Sequence, residues 1–191
     1  MNQTLLVHYP TKSAIELTAK QLTLSDLPQM LHLQDLVYNQ LNDKTWYACS
    51  SEEEFKAILD VRGCGVGYFT PENNLIAFGV YLHPQLESDN YGYDIELPIN
   101  QLLKVGQIEA TIVHPDFRGH RLQSLICSHL EDIALGLSTP LIMATVCPDN
   151  TFSLNTFLKL GYTIQKEKLK YGGLRRYILL KDASSTLNQP L

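Results

Sequence analysis

From Val105 to Gln123 the chain reads VGQIEATIVHPDFRGHRLQ, which is a strand pattern, a turn and a helix opening in one stretch. Val105–Val113 is rich in β-branched and apolar residues, and Pro115 ends it because proline cannot donate to a sheet ladder. From Leu122 onward the apolar positions Leu125, Ile126, Leu130, Ile133, Ala134 and Leu137 keep one face of a four-turn helix. The next ordered run, Leu141–Cys147, is apolar except for Thr145, as suits a strand covered on both faces. Strand, helix and strand in that order make a right-handed crossover between parallel strands, so the fold is α/β.

Upstream, Ile15–Thr23 alternates apolar and polar residues like a half-buried strand, whereas the residues before 14 show no clear period. Ser25 is placed to cap a helix carrying Leu27, Met30, Leu31, Leu33, Val37 and Leu41, with Pro28 tolerated in its first turn. Ser51 to Glu54 reads as a capping box for a short helix with Phe55, Ile58 and Leu59 on one stripe. Gly65–Thr70 and Leu75–His83 flank Pro71-Glu72-Asn73-Asn74 and predict an antiparallel hairpin. Residues 84–104 read as a long irregular connection containing Tyr91, Tyr93, Glu87, Asp89, Asp94 and Glu96. Downstream, a helix over 151–160 precedes a hairpin turning at Gly172-Gly173. The whole predicts one three-layer domain over residues 1–183, with a mixed, mostly antiparallel sheet of six or seven strands and helices on both faces. A flexible tail is expected over 184–191.

The 191 residues are 45% apolar and 18% charged, with a net charge of −5. That balance excludes disordered and membrane-spanning classes and argues against nucleic acid as a partner. Residues 1–100 carry 5 basic and 13 acidic side chains, and residues 101–191 carry 10 and 7, so the halves suit ligands of opposite charge. Cys49, Cys64, Cys127 and Cys147 lack C-x-x-C spacing and no signal sequence is evident, which fits reduced thiols in a cytoplasm. No His, Cys and acid cluster has metal spacing, so no metal is expected. His129 on the apolar helix face reads as core, and His83 and His114 end strands. Trp46 and Tyr47 are candidates for lining a groove, or are ordinary half-buried aromatics.

Chemistry concentrates between Val113 and Gln123. A strand, a turn and a helix N-terminus bring unpaired N–H groups and the helix dipole to one point, where anions bind. Arg118 and Arg121 add guanidinium donors to that end, which makes a diphosphate the natural guest; the alternative is that both are solvated or ion-paired.

Ile108–Gly119 resembles the fourth strand and pyrophosphate loop of the GNAT superfamily of acetyl-CoA-dependent N-acetyltransferases. Asp149-Asn150 through Leu160-Gly161-Tyr162 resembles that superfamily's later Asn…Gly-aromatic helix, and the order of elements agrees from residue 15 to residue 181. The family loop is Q/R-x-x-G-x-G/A; here it reads Arg118, Gly119, His120, Arg121, Leu122, Gln123, with Arg121 and Gln123 at the two later small positions. The resemblance implies coenzyme A as the acyl carrier, a splayed central parallel pair of strands, and Thr111, Ile112 and Val113 pairing with its pantetheine arm. It implies that Asn150 faces the carrier, where the residue also reads as a helix N-cap. Glu109 stands where relatives carry a glutamate and is expected to accept the amine's proton, directly or through water; an ion pair or a solvated strand residue is the alternative. On a regular strand Glu109 shares a face with Thr111 and Val113, opposite Ile108, Ala110 and Ile112. Phe157 occupies the place of the tyrosine that protonates the departing thiolate, so Tyr162, Tyr171 or water is left to do so. The implied acceptor is a primary amine of a small molecule or peptide, and a homodimer is left open. The acidic first half suggests a cationic acceptor. A catalytically silent module binding coenzyme A or acyl-CoA is the second reading.

Overall fold

In the computed structural model, residues 3–7 and 14–187 are described. Alternation in Ile15–Gln21 (β2) buries Leu17 and Ala19, and the strand pairs antiparallel with Gln3–Val7 (β1), a strand absent from the sequence-based expectation. Helix α1 (Leu27–Gln40) begins one turn after Thr23 rather than at Ser25, because Asp26 accepts hydrogen bonds from the backbone and hydroxyl of Thr23. The Ser51–Glu54 capping box forms as expected and opens α2 (Glu52–Ala57). The hairpin follows as β3 (Gly63–Phe69) and β4 (Leu75–Leu82).

The long connection is more ordered than its composition suggests. Asn90 caps a 3₁₀ turn, Tyr91–Ile95, and α3 (Ile99–Leu102) follows. Then come β5 (Val105–Val113), α4 (Leu122–Gly136), β6 (Leu141–Val146), α5 (Thr151–Lys159), β7 (Thr163–Lys170) and β8 (Leu174–Asp182). Ser184–Leu187, placed in a flexible tail by composition, forms a helical turn; the rest of that expected tail lies outside the described residues.

The sheet has eight strands in the order β1-β2-β3-β4-β5-β6-β8-β7, against six or seven expected. β5 and β6 are its parallel pair and every other pairing is antiparallel. α1 and α2 cover one face through Met30, Leu33 and Phe55, which pack with Phe78 of β4. α4 and α5 cover the other through Ile126, Leu130, Ala134 and Phe157. Among the described residues no helix is long and apolar enough to cross a membrane.

Candidate active site

The central pair separates soon after it forms. β5 and β6 are hydrogen-bonded from Val105–Leu141 to Ile108–Ala144, and pairing stops there. Beyond that point Thr111, Ile112 and Val113 remain paired with Gly79, Phe78 and Ala77 of β4, so their opposite edge faces the gap. A cavity of about 1280 Å³ occupies this gap and runs to the N-terminus of α4.

At that terminus Arg121 takes φ +59°, a left-handed conformation that glycine adopts without cost and that the family loop reserves for a small residue. No side chain caps the helix, so its first-turn amides are open to an anion. Arg118, Gly119, Arg121, Leu122 and Gln123 all reach the cavity wall, whereas His120 does not. Gln123 turns inward, and its amide donates to Thr111 Oγ1 at 3.0 Å and Ser153 Oγ at 2.9 Å, spanning β5 and α5. Asn150 caps α5 by accepting from Ser153 N at 3.2 Å, and it lines the cavity.

Glu109 is not on the face expected for it. The register with β4 slips between Val80 and Tyr81, pairing Val80 with Ala110 and Tyr81 with Ile108, so Glu109 is the extra residue of a β-bulge. The bulge reverses the alternation. Ile108 packs with α4, while Ala110 and Ile112 pack with α1 and α2. Thr111 and Val113 lie on the α4 side, and Glu109 lies on the other, among Gln107 and Tyr91.

There its carboxylate accepts from Gln107 Nε2 at 2.5 Å and from the Tyr91 hydroxyl at 2.7 Å. The Tyr91 hydroxyl lies 2.6 Å from that of Tyr171, which lies 2.9 Å from Thr145 Oγ1. All four oxygen-bearing residues line the cavity. Burial raises the Glu109 carboxyl above its ordinary value, against the lowering effect of its two donors. Burial likewise pushes the Tyr171 hydroxyl up to about 12 and holds that of Tyr91 well above the usual range.

The other expected residues divide. Phe157 lines the cavity with its ring packed edge-on against Tyr162, centroids 5.0 Å apart. Tyr162 itself is 2% exposed and does not reach the wall, because the Gly161 turn folds its ring into the core between α4 and β8. Trp46 and Tyr47 do line the cavity, and His129 instead sits beside Tyr68 at 3.2 Å on the α4 side. The acidic cluster in the long connection is largely spent internally. Asp94 pairs with Lys168 and Lys170, Asp89 with Arg62, and Glu96 with Lys166. Gln107, Tyr91 and Thr145 are site residues that the sequence-based expectation lacks. Two of them carried a signal: Gln107 as a second polar residue two places before Glu109, and Thr145 as the one polar residue of the Leu141–Cys147 run.

An open helix terminus flanked by two arginines, joined to a bare strand edge, fits an elongated ligand with anionic groups at one end. The model of the acetyltransferase (GNAT) family matches residues 26–162. Among solved structures the chain is similar to the ribosomal-protein-S18-alanine N-acetyltransferase of Escherichia coli, at 16% identity over 86% of this chain and 91% of that one, with a TM-score of 0.62. It is similar to a chimeric spermidine N-acetyltransferase from Vibrio cholerae at 14% identity, 91% and 99% coverage and a TM-score of 0.62. The NatC complex bound to Gag peptide and coenzyme A matches at 15% identity, 86% and 96% coverage and a TM-score of 0.64. No curated protein sequence matches. At these identities the structures speak for the fold alone, and the family match spans well over half of the chain. With its splayed central strands and open helix terminus in place, the chain belongs to the GNAT acetyltransferase family.

Proposed function

We propose that this chain is an acetyl-CoA-dependent N-acetyltransferase that acetylates the primary amine of a small molecule or peptide by direct attack. The observation that carries the reading is the run of hydroxyls from Thr145 through Tyr171 and Tyr91 to Glu109, inside the cavity where β5 and β6 part. Acetyl-CoA, when bound, supplies a thioester: the amine nitrogen bonds to its carbonyl carbon, the C–S bond breaks, and the sulfur leaves as a thiol. The protein holds the carrier and moves one proton. The first-turn amides of α4 with Arg118 and Arg121 would hold the diphosphate, the edge of Thr111, Ile112 and Val113 would align the arm, and Asn150 and Phe157 would line it.

The direction of the hydroxyl run follows from counting hydrogens. Tyr91 gives its single hydrogen to the Glu109 carboxylate, so its oxygen accepts from Tyr171, and the oxygen of Tyr171 then accepts from Thr145. Every hydroxyl points toward Glu109. One hop along the Tyr171–Tyr91 and Tyr91–Glu109 bonds delivers an amine proton arriving at Tyr171 to Glu109 and reverses these two bonds, with Thr145 still donating to Tyr171. The reversed run points outward and can return that proton to the departing sulfur, the task that Phe157 cannot perform. A carboxyl raised by burial is the better proton acceptor, and a Tyr171 hydroxyl near 12 stays protonated at neutral pH. The four cysteines are unpaired, which supports a cytoplasmic setting.

Thiol release from acetyl-CoA, followed with a diverse amine panel, tests the reading; amine-dependent release is expected. The silent coenzyme A module remains the second reading, favoured by Phe157 and by the Gln123 bridge across the groove. Micromolar coenzyme A binding without acceleration by any amine would establish it.

A further inference from the structure

We propose that Arg176 is the carboxylate-binding end of the acceptor site, so that the acceptor is a small amino-carboxylic acid; this rests on the acyl-transfer reading above. Arg176 lies on β8, is 3% exposed and lines the cavity. A buried guanidinium is costly unless it is paired, and the other basic residues of this wall are either solvated or matched. Arg118, Arg121 and Lys159 are exposed, Arg62 holds Asp89, and Lys170 holds Asp94. Arg176 makes no ion pair among the described residues. Its Nη1 donates to two neutral carbonyls, Thr45 O at 2.9 Å and Arg175 O at 2.7 Å, and its Nη2 is buried without an acceptor.

The place of this unmatched charge defines the ligand that would match it. The guanidinium carbon is 5.6 Å from the centre of the Tyr171 ring, and the hydroxyl of that ring joins the run ending on Glu109. Positive charge and the entry to the proton run therefore meet on one aromatic side chain, Tyr171, which suits a carboxylate and an amine a few bonds apart. A carboxylate would supply the missing acceptor for Nη2 and a charge-assisted contact. Access passes Tyr171, which is 44% exposed at the hairpin corner in a left-handed conformation (φ +51°), with Gly172 and Gly173 following. A polyamine finds less here, since Asp89 is held by Arg62 and Glu54 by the Ser51 amide, which leaves exposed Glu53 as the one other carboxylate of this wall besides Glu109.

The test compares alanine, methionine, phenylalanine and β-alanine with their carboxamides and decarboxylated amines. Each is scored for thiol release from acetyl-CoA and, with coenzyme A present, for calorimetric binding. The expected result is a preference of about tenfold or more for at least one acid over its amide, lost in Arg176→Met and largely kept in Arg176→Lys. Equal rates and affinities for acids and amides would overturn the inference while leaving acetyl transfer intact. So would an Arg176→Met variant that loses activity toward both alike, since that marks an arginine that only anchors the Thr45 loop. Carboxylate binding through Arg176 without thiol release would defeat the acyl-transfer reading and, with it, the place of Arg176 in an acceptor site, leaving a carboxylate-binding site alone; no carboxylate binding would overturn the inference whether or not thiol is released.

Discussion

Glu109 owes its position to one extra residue. Its identity as a candidate base was readable from the surrounding motif, but its face was not, because a bulge is a property of two paired strands and only one was being read. Its titration depends on donors from elsewhere in the chain. Removing the Tyr91 hydroxyl in Tyr91→Phe takes away a hydrogen bond that favours the carboxylate, so the Glu109 carboxyl should rise further. The variant also cuts the hydroxyl run, so kcat/KM falls, and the acid limb of the activity that remains moves to higher pH; an undiminished rate or a limb that stays in place would contradict the assignment. Two phenols separate the proton routes. Tyr171→Phe should lower kcat by about 10²-fold or more with coenzyme A affinity unchanged, whereas Tyr162→Phe should leave kcat within about twofold, because its ring is in the core. Tyr162 was a fair candidate from its place after Gly161; only the course of the turn removes it from the wall.

At the scale of elements, the helix terminus and the hairpin set the terms of binding. Gln123 holds Thr111 and Ser153 together across the interval that the family's small residue leaves open. Gln123→Ala should tighten coenzyme A binding severalfold by calorimetry, at a stability cost of about 1 kcal/mol for the lost bonds; weaker binding would show that the amide itself holds the ligand. The β7–β8 hairpin, which carries Tyr171 and Arg176, is tied to the Tyr91 turn by Asp94. That carboxylate is 7% exposed; burial would raise its pKa, but Lys168 and Lys170 outweigh this and hold it below its ordinary 3.8. A depressed carboxylate adds stability above its unfolded value, and that stability is lost as pH falls through the folded one. Asp94→Asn should therefore cost about 2 kcal/mol in urea unfolding at neutral pH, with the difference from the unmodified protein shrinking below about pH 3.8. A gap that is constant with pH would contradict the pairing. The sequence showed the acidic run but not the partners of Asp94, which lie 74 and 76 residues away.

For the whole molecule, periodic segments were the legible part. The α4 stripe, the uniformly apolar β6 and the β3–β4 hairpin lie where period and turn chemistry put them, since each is governed by neighbours within a few residues. β1 was missed because a short edge strand with one partner needs no sustained alternation, and its addition takes the sheet to eight strands. The cavity belongs to none of these elements singly; it exists because β5 and β6 part after Ile108 and Ala144. The account stands on Glu109 receiving the amine's proton in that cavity. The direct measurement is kcat/KM for amine-dependent thiol release from acetyl-CoA across pH, in the unmodified protein and in Glu109→Gln. The unmodified protein should lose activity through an acid limb above the ordinary glutamate value of 4.5, and the variant should be about 10²-fold or more slower without that limb. A variant that keeps both the rate and the limb would contradict the account.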